Sequence, residues 1–436
     1  MDQNTPVNQN TTPNQSRPST RVHPVTRRRF LAFSGVAAAG ALAVGATRIN
    51  WTDLVAAAER TPLDPSAGVV VMVTLYGGND GLNTVIPATD AAYSAARAEL
   101  AYRPDEVLDL GEGLGLNPGM TGLHELWKTD QLAVLRGVGY PQPDRSHFRS
   151  MAIWQTGSPT TAATTGWLGR WLDATTTDPL LAVSLDTLIP PMLAGEKVAG
   201  ASLPVGGVKV PKTALGRSLG LLGRPDDADG IWQARAAKSI ADLGAVQQRL
   251  EPAVDKNPDE DQPGSDENAQ GASAGGQSEL ARQLDLVATL IELGVPTRVY
   301  SVSLGGFDTH SDERGTQQRL LTELDTALTT FQARLGATDR GRQVVTTVYS
   351  EFGRRVTANA SDGTDHGTAG PVFVLGRGVT GGFHGAEPSL TDLDDGDLRA
   401  GLDFRSVYAS LLGSVLGAEP GGLLDGWEQR VDGLFS

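Results

Sequence analysis

The chain has 436 residues, 39% of them hydrophobic, enough to bury a large core. Its 51 acidic against 36 basic residues give a net charge of -15, which argues against a nucleic-acid surface, because phosphate recognition needs clustered Lys and Arg. There is no cysteine, so disulfides, thiolate catalysis and cysteine-ligated zinc are excluded together, while oxygen and imidazole ligands remain available.

Residues 1–24 are rich in Asn, Gln, Thr and Pro, a composition that predicts disorder. They run into Thr26-Arg27-Arg28-Arg29-Phe30-Leu31 and an apolar stretch to Ala46, which together make a twin-arginine export signal. The stretch is short for a bilayer and rich in glycine, so cleavage near Ala46 or after Ala58 is expected rather than anchoring. Residues 1–58 are therefore read as a disordered leader and signal, and the mature protein as extracytoplasmic, secreted or in the cell envelope, delivered by the twin-arginine translocase.

From Gly68 to Tyr76 a continuous apolar run predicts a buried strand that breaks into Gly77-Gly78-Asn79-Asp80-Gly81. Helical patterns near Asp90 to Leu100 and Met120 to Lys128 precede a strand at Leu132 to Gly137. Asp144-Arg145-Ser146-His147-Phe148-Arg149 then opens a helix, and a hydroxyl at a helix start is either a cap or a place where an anion meets free backbone N–H groups. A short helix at Gly166 to Leu172 and a strand at Leu180 to Leu185 follow. The region from about Pro190 to Arg249 mixes short strands and glycine turns with a helix from about Ile231 to Leu250.

Pro252 to Gln277 has almost no apolar residue and is expected to be a disordered acidic insertion within a single domain spanning 66–436. A helix at Glu279 to Glu292 and a strand at Arg298 to Leu304 lead to Gly305-Gly306-Phe307-Asp308-Thr309-His310. A helix from Thr316 to Leu335 with a Leu320, Leu321, Leu324, Leu328 and Phe331 stripe precedes the strand Val344 to Tyr349. That strand delivers Ser350, Glu351, Arg354 and Arg355 at its end, then Asp365 and His366 in a loop before the run Val372 to Leu375. Asp403 to Gly417 reads as a closing amphipathic helix. Strand then helix, recurring with acidic residues and histidines at the strand ends, predicts an α/β sandwich on a mostly parallel sheet with its site beyond the carboxyl ends.

The twin-arginine leader, LYGGNDGLNTVIP at Leu75 to Pro87, RSHF at Arg145 to Phe148, GGFDTH at Gly305 to His310, and SEFGRR with GTDHG resemble the domain of unknown function 1501 family. That family is in turn similar to the alkaline phosphatase superfamily, which includes sulfatases and cofactor-independent phosphoglycerate mutases. The resemblance implies a three-layer, alkaline phosphatase-like sandwich that uses one or two divalent ions, with zinc, manganese, calcium and magnesium all open. Carried over residue by residue, it implies metal ligands at Asp80, Asp308, His310, Glu351 and His366, with Phe352 where a further histidine ligand would stand. It implies a nucleophile at Ser146, or His147 if the register shifts by one, and substrate contacts from Arg149, Arg354 and Arg355. The implied function is metal-dependent hydrolysis of phosphate or sulfate esters of a small molecule. The alternative is a catalytically degenerate fold used for extracytoplasmic binding or assembly. The resemblance also implies a protein partner from another family of unknown function.

Overall fold

The computed structural model describes residues 47–48, 51–205, 278–376 and 378–436. The twin-arginine motif, the expected helix at Ile231 to Leu250 and the acidic stretch 252–277 lie outside the described residues.

Among the described residues the centre is a 10-stranded sheet. Its strands in chain order are β1 (Thr47–Arg48), β2 (Val69–Leu75), β3 (Leu132–Gly139), β4 (Ala182–Ser184), β5 (Ala201–Ser202), β6 (Val299–Leu304), β7 (Val344–Ser350), β8 (Gly370–Gly376), β9 (Gly382–His384) and β10 (Leu402–Asp403). They lie side by side as β1-β5-β4-β6-β2-β7-β8-β3-β9, with β10 also on β3. Every pairing is parallel except the two made by β8, which runs against β7 and β3.

The helices are α1 (Trp51–Arg60), α2 (Ala91–Arg97), α3 (Thr121–Lys128), α4 (His147–Thr156), α5 (Trp167–Thr175), α6 (Glu279–Glu292), α7 (Glu313–Gly336) and α8 (Phe404–Leu411). Alternate residues of β2 point to opposite layers, which is why its sequence is apolar throughout and not at every second position. Val69, Val71 and Val73 pack with Leu284 and Val287 of α6 and Leu321, Leu324 and Leu328 of α7. Val70 and Met72 pack with Trp154 of α4, Trp171 of α5 and Phe404 and Tyr408 of α8. Each such buried side chain contributes about 1.5–3 kcal/mol, so the two cores hold the central strands in fixed register. That register aligns Ser350 with Leu75 and Leu75 with Leu304, ending three strands at one level.

The reversed direction of β8 has a functional consequence. Parallel strands present the residues that follow them to the carboxyl-end crevice, whereas an antiparallel strand presents the residues that precede it. His366, four residues before Gly370, therefore arrives where Asp80, Asp308 and Glu351 leave β2, β6 and β7.

Trp51–Arg60 is a helix whose Leu54 is fully buried in the core. The apolar spacing of Leu54 and Ala57, both buried, is what docks it. Among the described residues no helix is long and apolar enough to cross a membrane.

Candidate metal centre

His147, Asp308 and His366 each aim one ligand-type atom at a common point, all within 4.8 Å of one another. His147 opens α4 after the loop that leaves β3, Asp308 follows β6, and His366 ends the short strand Thr364–His366 that pairs with Arg354–Ala358. Nε2 of His147 is 3.0 Å from Nε2 of His366, and Asp308 Oδ1 lies 3.4 Å and 3.3 Å from these two nitrogens. His310 Nε2 borders the group, 2.9 Å from His366 Nε2 and 3.0 Å from Asp308 Oδ1.

The protons of the two central imidazoles are placed by what lies behind them. His147 Nδ1 is 2.8 Å from Glu351 Oε1, and His366 Nδ1 is 2.8 Å from the carbonyl oxygen of Arg145. Each acceptor takes an Nδ1–H, leaving the Nε2 lone pair of the neutral ring facing the cluster. Two bare nitrogens and a carboxylate oxygen at these separations repel unless a cation lies between them. Donors around one ion at about 2.0–2.1 Å with tetrahedral angles stand about 3.3 Å apart, close to the distances found. The residues therefore fit a divalent ion, and imidazole nitrogen with carboxylate oxygen suits zinc or manganese better than calcium or magnesium.

Burial and neighbouring charges act differently on the three groups. Burial pushes the Asp308 carboxyl up, but Arg354, 2.8 Å away, together with His147 and His310, outweighs burial and holds it below its ordinary value. The hydrogen bond with Glu351 raises His147, while burial lowers His366.

Three of the expected site residues take other roles. Asp80 is fully buried, and both of its carboxylate oxygens are taken by Arg97 of α2, at 2.5 Å and 2.9 Å. A guanidinium thus holds the carboxylate that was expected to hold an ion. Glu351 stands behind His147 rather than facing the cluster: its Oε1 also accepts from Gly77 N at 3.0 Å, and Ser350 Oγ lies 2.9 Å from Oε2. Arg354 is closed to substrate, because its side chain is buried and donates to the carbonyls of Gly77, Gly78, Phe307 and Thr364 as well as to Asp308. It ties the loops after β2 and β6 together and steadies Asp308.

Ser146 is the exposed N-cap of α4, and its hydroxyl makes no capping bond. Among the described residues it has no hydrogen bond to any member of the cluster, whereas His147 turns inward. Arg149 is exposed, and among the described residues it makes no ion pair. Arg355 faces Asp395 and Asp397 at 3.6 Å and 3.7 Å, away from the cluster. His384 is held by the carbonyls of Thr380 and Asp432 and takes no part.

Close loop packing shapes the centre. Gly78 has φ +74°, and a Cβ there would stand 2.2 Å from the ring of Phe352. That ring in turn packs at 4.9 Å on both His147 and His366. Sequence reasoning missed Arg97, Glu313 and the Arg145 carbonyl. Glu313 accepts from Thr364 at 2.6 Å, and burial beside Asp80 pushes its carboxyl up to about 9. It therefore keeps its proton beside the Asp80 carboxylate, and its Oε1 is buried without a hydrogen-bond partner among the described residues.

A family profile described as "Protein of unknown function (DUF1501)" matches residues 127–414. No curated protein sequence matches the chain. Among solved structures, a protein in the alkaline phosphatase superfamily from Vibrio parahaemolyticus matches with a TM-score of 0.40 at 11% identity, covering 89% of this chain and 80% of that one. The lipoteichoic acid synthase LtaP from Listeria monocytogenes matches with a TM-score of 0.40 at 10% identity over 90% and 81%. The phosphonate monoester hydrolase SpPMH from Silicibacter pomeroyi matches with a TM-score of 0.38 at 11% identity over 83% and 75%. Likeness at this level carries no statement about the reaction of this chain.

Proposed function

The chain belongs to the DUF1501 family, and from that premise and the geometry of the centre we propose that it is a metal-dependent hydrolase of phosphate or sulfate esters. One observation carries the reading: the Nε2 atoms of His147 and His366 and Oδ1 of Asp308 converge within 4.8 Å, while Nδ1 of each imidazole is turned to an acceptor. A divalent ion held there supplies Lewis-acid polarisation of an ester oxygen. His310 stands ready as a further ligand beside Asp308 and His366.

The chain's own residues fix what surrounds that centre. Glu351 and the Arg145 carbonyl hold the imidazoles in one tautomer, and Arg354 keeps Asp308 ionised and aimed. The Asp80–Arg97 pair neutralises itself, which supports a single ion and not two. Attack comes from water, because among the described residues the Ser146 hydroxyl has no base in hydrogen-bond contact, while His147 is spent on the cluster. The leader motif at Arg27 and Arg28 supports export by the twin-arginine route, with work done outside the cytoplasm.

A second reading, binding without turnover, is favoured by Phe352, whose ring fills the place beside His147 and His366. Full-length protein supplied with zinc or manganese and assayed on 4-nitrophenyl phosphate, bis(4-nitrophenyl) phosphate and 4-nitrophenyl sulfate separates the two. Hydrolysis that needs the added ion and vanishes in a His147→Ala, His366→Ala variant is expected. Release equal in the parent and that variant removes the hydrolase reading.

A further inference from the structure

Beside the centre lies a cleft of about 740 Å³ whose lining includes Arg145, Phe352, Asp395, Asp397, Arg399 and Trp427. Two of these residues connect it to the metal-facing imidazoles. The carbonyl of Arg145 accepts from His366 while its side chain enters the cleft, and the ring of Phe352 is shared between the cleft wall and both histidines.

The cleft contains unmet hydrogen-bonding capacity of both signs. Asp397 is 1% exposed, and its Oδ2 takes Arg145 Nε at 2.8 Å and Nη2 at 2.5 Å. Its Oδ1 has no hydrogen-bond partner among the described residues, since Arg355 Nε stops 3.7 Å away. A buried acceptor without a partner is costly, and it marks where a ligand's donor belongs. On the same residue pair, Nη1 of Arg145 makes no hydrogen bond among the described residues, so a donor stands beside the acceptor. Trp427 adds an indole, one face of which carries the Arg405 guanidinium at 4.0 Å.

The charges select the ligand. An anionic body would meet Asp394, Asp395, Asp397 and Asp403, and an ammonium would meet Arg145, Arg399 and the guanidinium already on Trp427. A neutral body bearing several hydroxyls satisfies both, because each hydroxyl donates to a carboxylate and accepts from a guanidinium. We propose that this cleft binds the polyhydroxylated, sugar-like body of the substrate, with Asp397, Arg145 and Trp427 as its contacts. The placement of the ester at the adjacent centre rests on the hydrolase reading, whereas the cleft's preference for a neutral polyol does not.

The test uses full-length protein treated with EDTA, so that nothing acts through a bound ion. Saturation-transfer NMR with cellobiose, maltose and lactose is run on the parent, on Asp397→Asn and on Trp427→Phe, with circular dichroism confirming that each variant is folded. In Asp397→Asn the amide oxygen stays with Arg145 and the NH₂ replaces the free acceptor. Binding of at least one disaccharide is expected, weakened about tenfold or more by Asp397→Asn and weakened also by Trp427→Phe. Neither choline nor inorganic phosphate at equal concentration is expected to displace it. Absence of disaccharide binding, binding unchanged in both variants, or displacement by choline or phosphate overturns the proposal. Failure here leaves metal-dependent ester hydrolysis standing, and failure of hydrolysis leaves this result standing.

Discussion

Replacing Arg97 with Met tests whether Asp80 belongs to the fold or to the metal. Arg97 and Asp80 have side chains at 0% exposure, bridged by two hydrogen bonds, and Arg97 also donates to the carbonyls of Val356 at 2.8 Å and Arg355 at 3.0 Å. Met fills a similar volume but leaves a buried carboxylate without its countercharge and two carbonyls without their Arg97 donors. Removing one partner of a buried pair costs about 3–5 kcal/mol, so Arg97→Met is expected to lose that much in urea unfolding followed by circular dichroism. Asp80→Asn alone is also expected to destabilise, and the double variant Asp80→Asn, Arg97→Met to lose less than the sum of the two. Zinc affinity of Asp80→Asn should stay within about twofold of the parent, because no oxygen of Asp80 reaches the cluster. A loss below about 1 kcal/mol in Arg97→Met, or a large fall in zinc affinity in Asp80→Asn, would refute the reasoning.

Three further outcomes follow from the same geometry. Glu351→Gln should lower zinc affinity about 10–100-fold by weakening the hold on His147 Nδ1, read by competition with a chromophoric chelator. Gly78→Ala should destabilise the fold by about 1–3 kcal/mol, because its φ of +74° suits glycine and the new methyl meets the Phe352 ring, and it should weaken metal binding as that ring shifts against His147 and His366. For Glu313, the folded state keeps up to about 9 a proton that the ordinary carboxyl releases near 4.5. Its contribution is therefore fully present below 4.5 and is lost as pH rises through about 9. Glu313→Gln keeps an acceptor for Thr364 without the titrating proton, so its melting temperature relative to the parent should rise between pH 5 and pH 9.

The fold was legible because it is written in local patterns. The apolar run at Val69–Leu75 has helix-covered layers on both faces, and the Leu320 to Phe331 stripe marks the face of α7 turned to the sheet. The direction of β8 was not legible, since an apolar run carries no sign of its orientation, although that direction is what brings His366 to the centre. Asp308, His310 and His366 stand out in the sequence because they combine a turn, an acid or imidazole, and a strand end, and the fold brings them together. Asp80 has the same signature, yet its partner Arg97 sits in a plain helical stretch, AAYSAAR, with nothing in its spacing to signal a buried ion pair. Glu351 and Arg354 show the same limit: sequence placed them after a strand end, while facing the cluster or standing behind one of its members is decided by tertiary packing. The cleft residues Asp395 and Asp397 came from a loop whose acidic composition reads as ordinary surface.

Elemental analysis of full-length protein, loaded with zinc and desalted, addresses the central claim most directly. One zinc per chain in the parent and none in the His147→Ala, His366→Ala variant is the expected result. A parent that retains no zinc, or a variant that retains as much as the parent, would contradict the account of this centre.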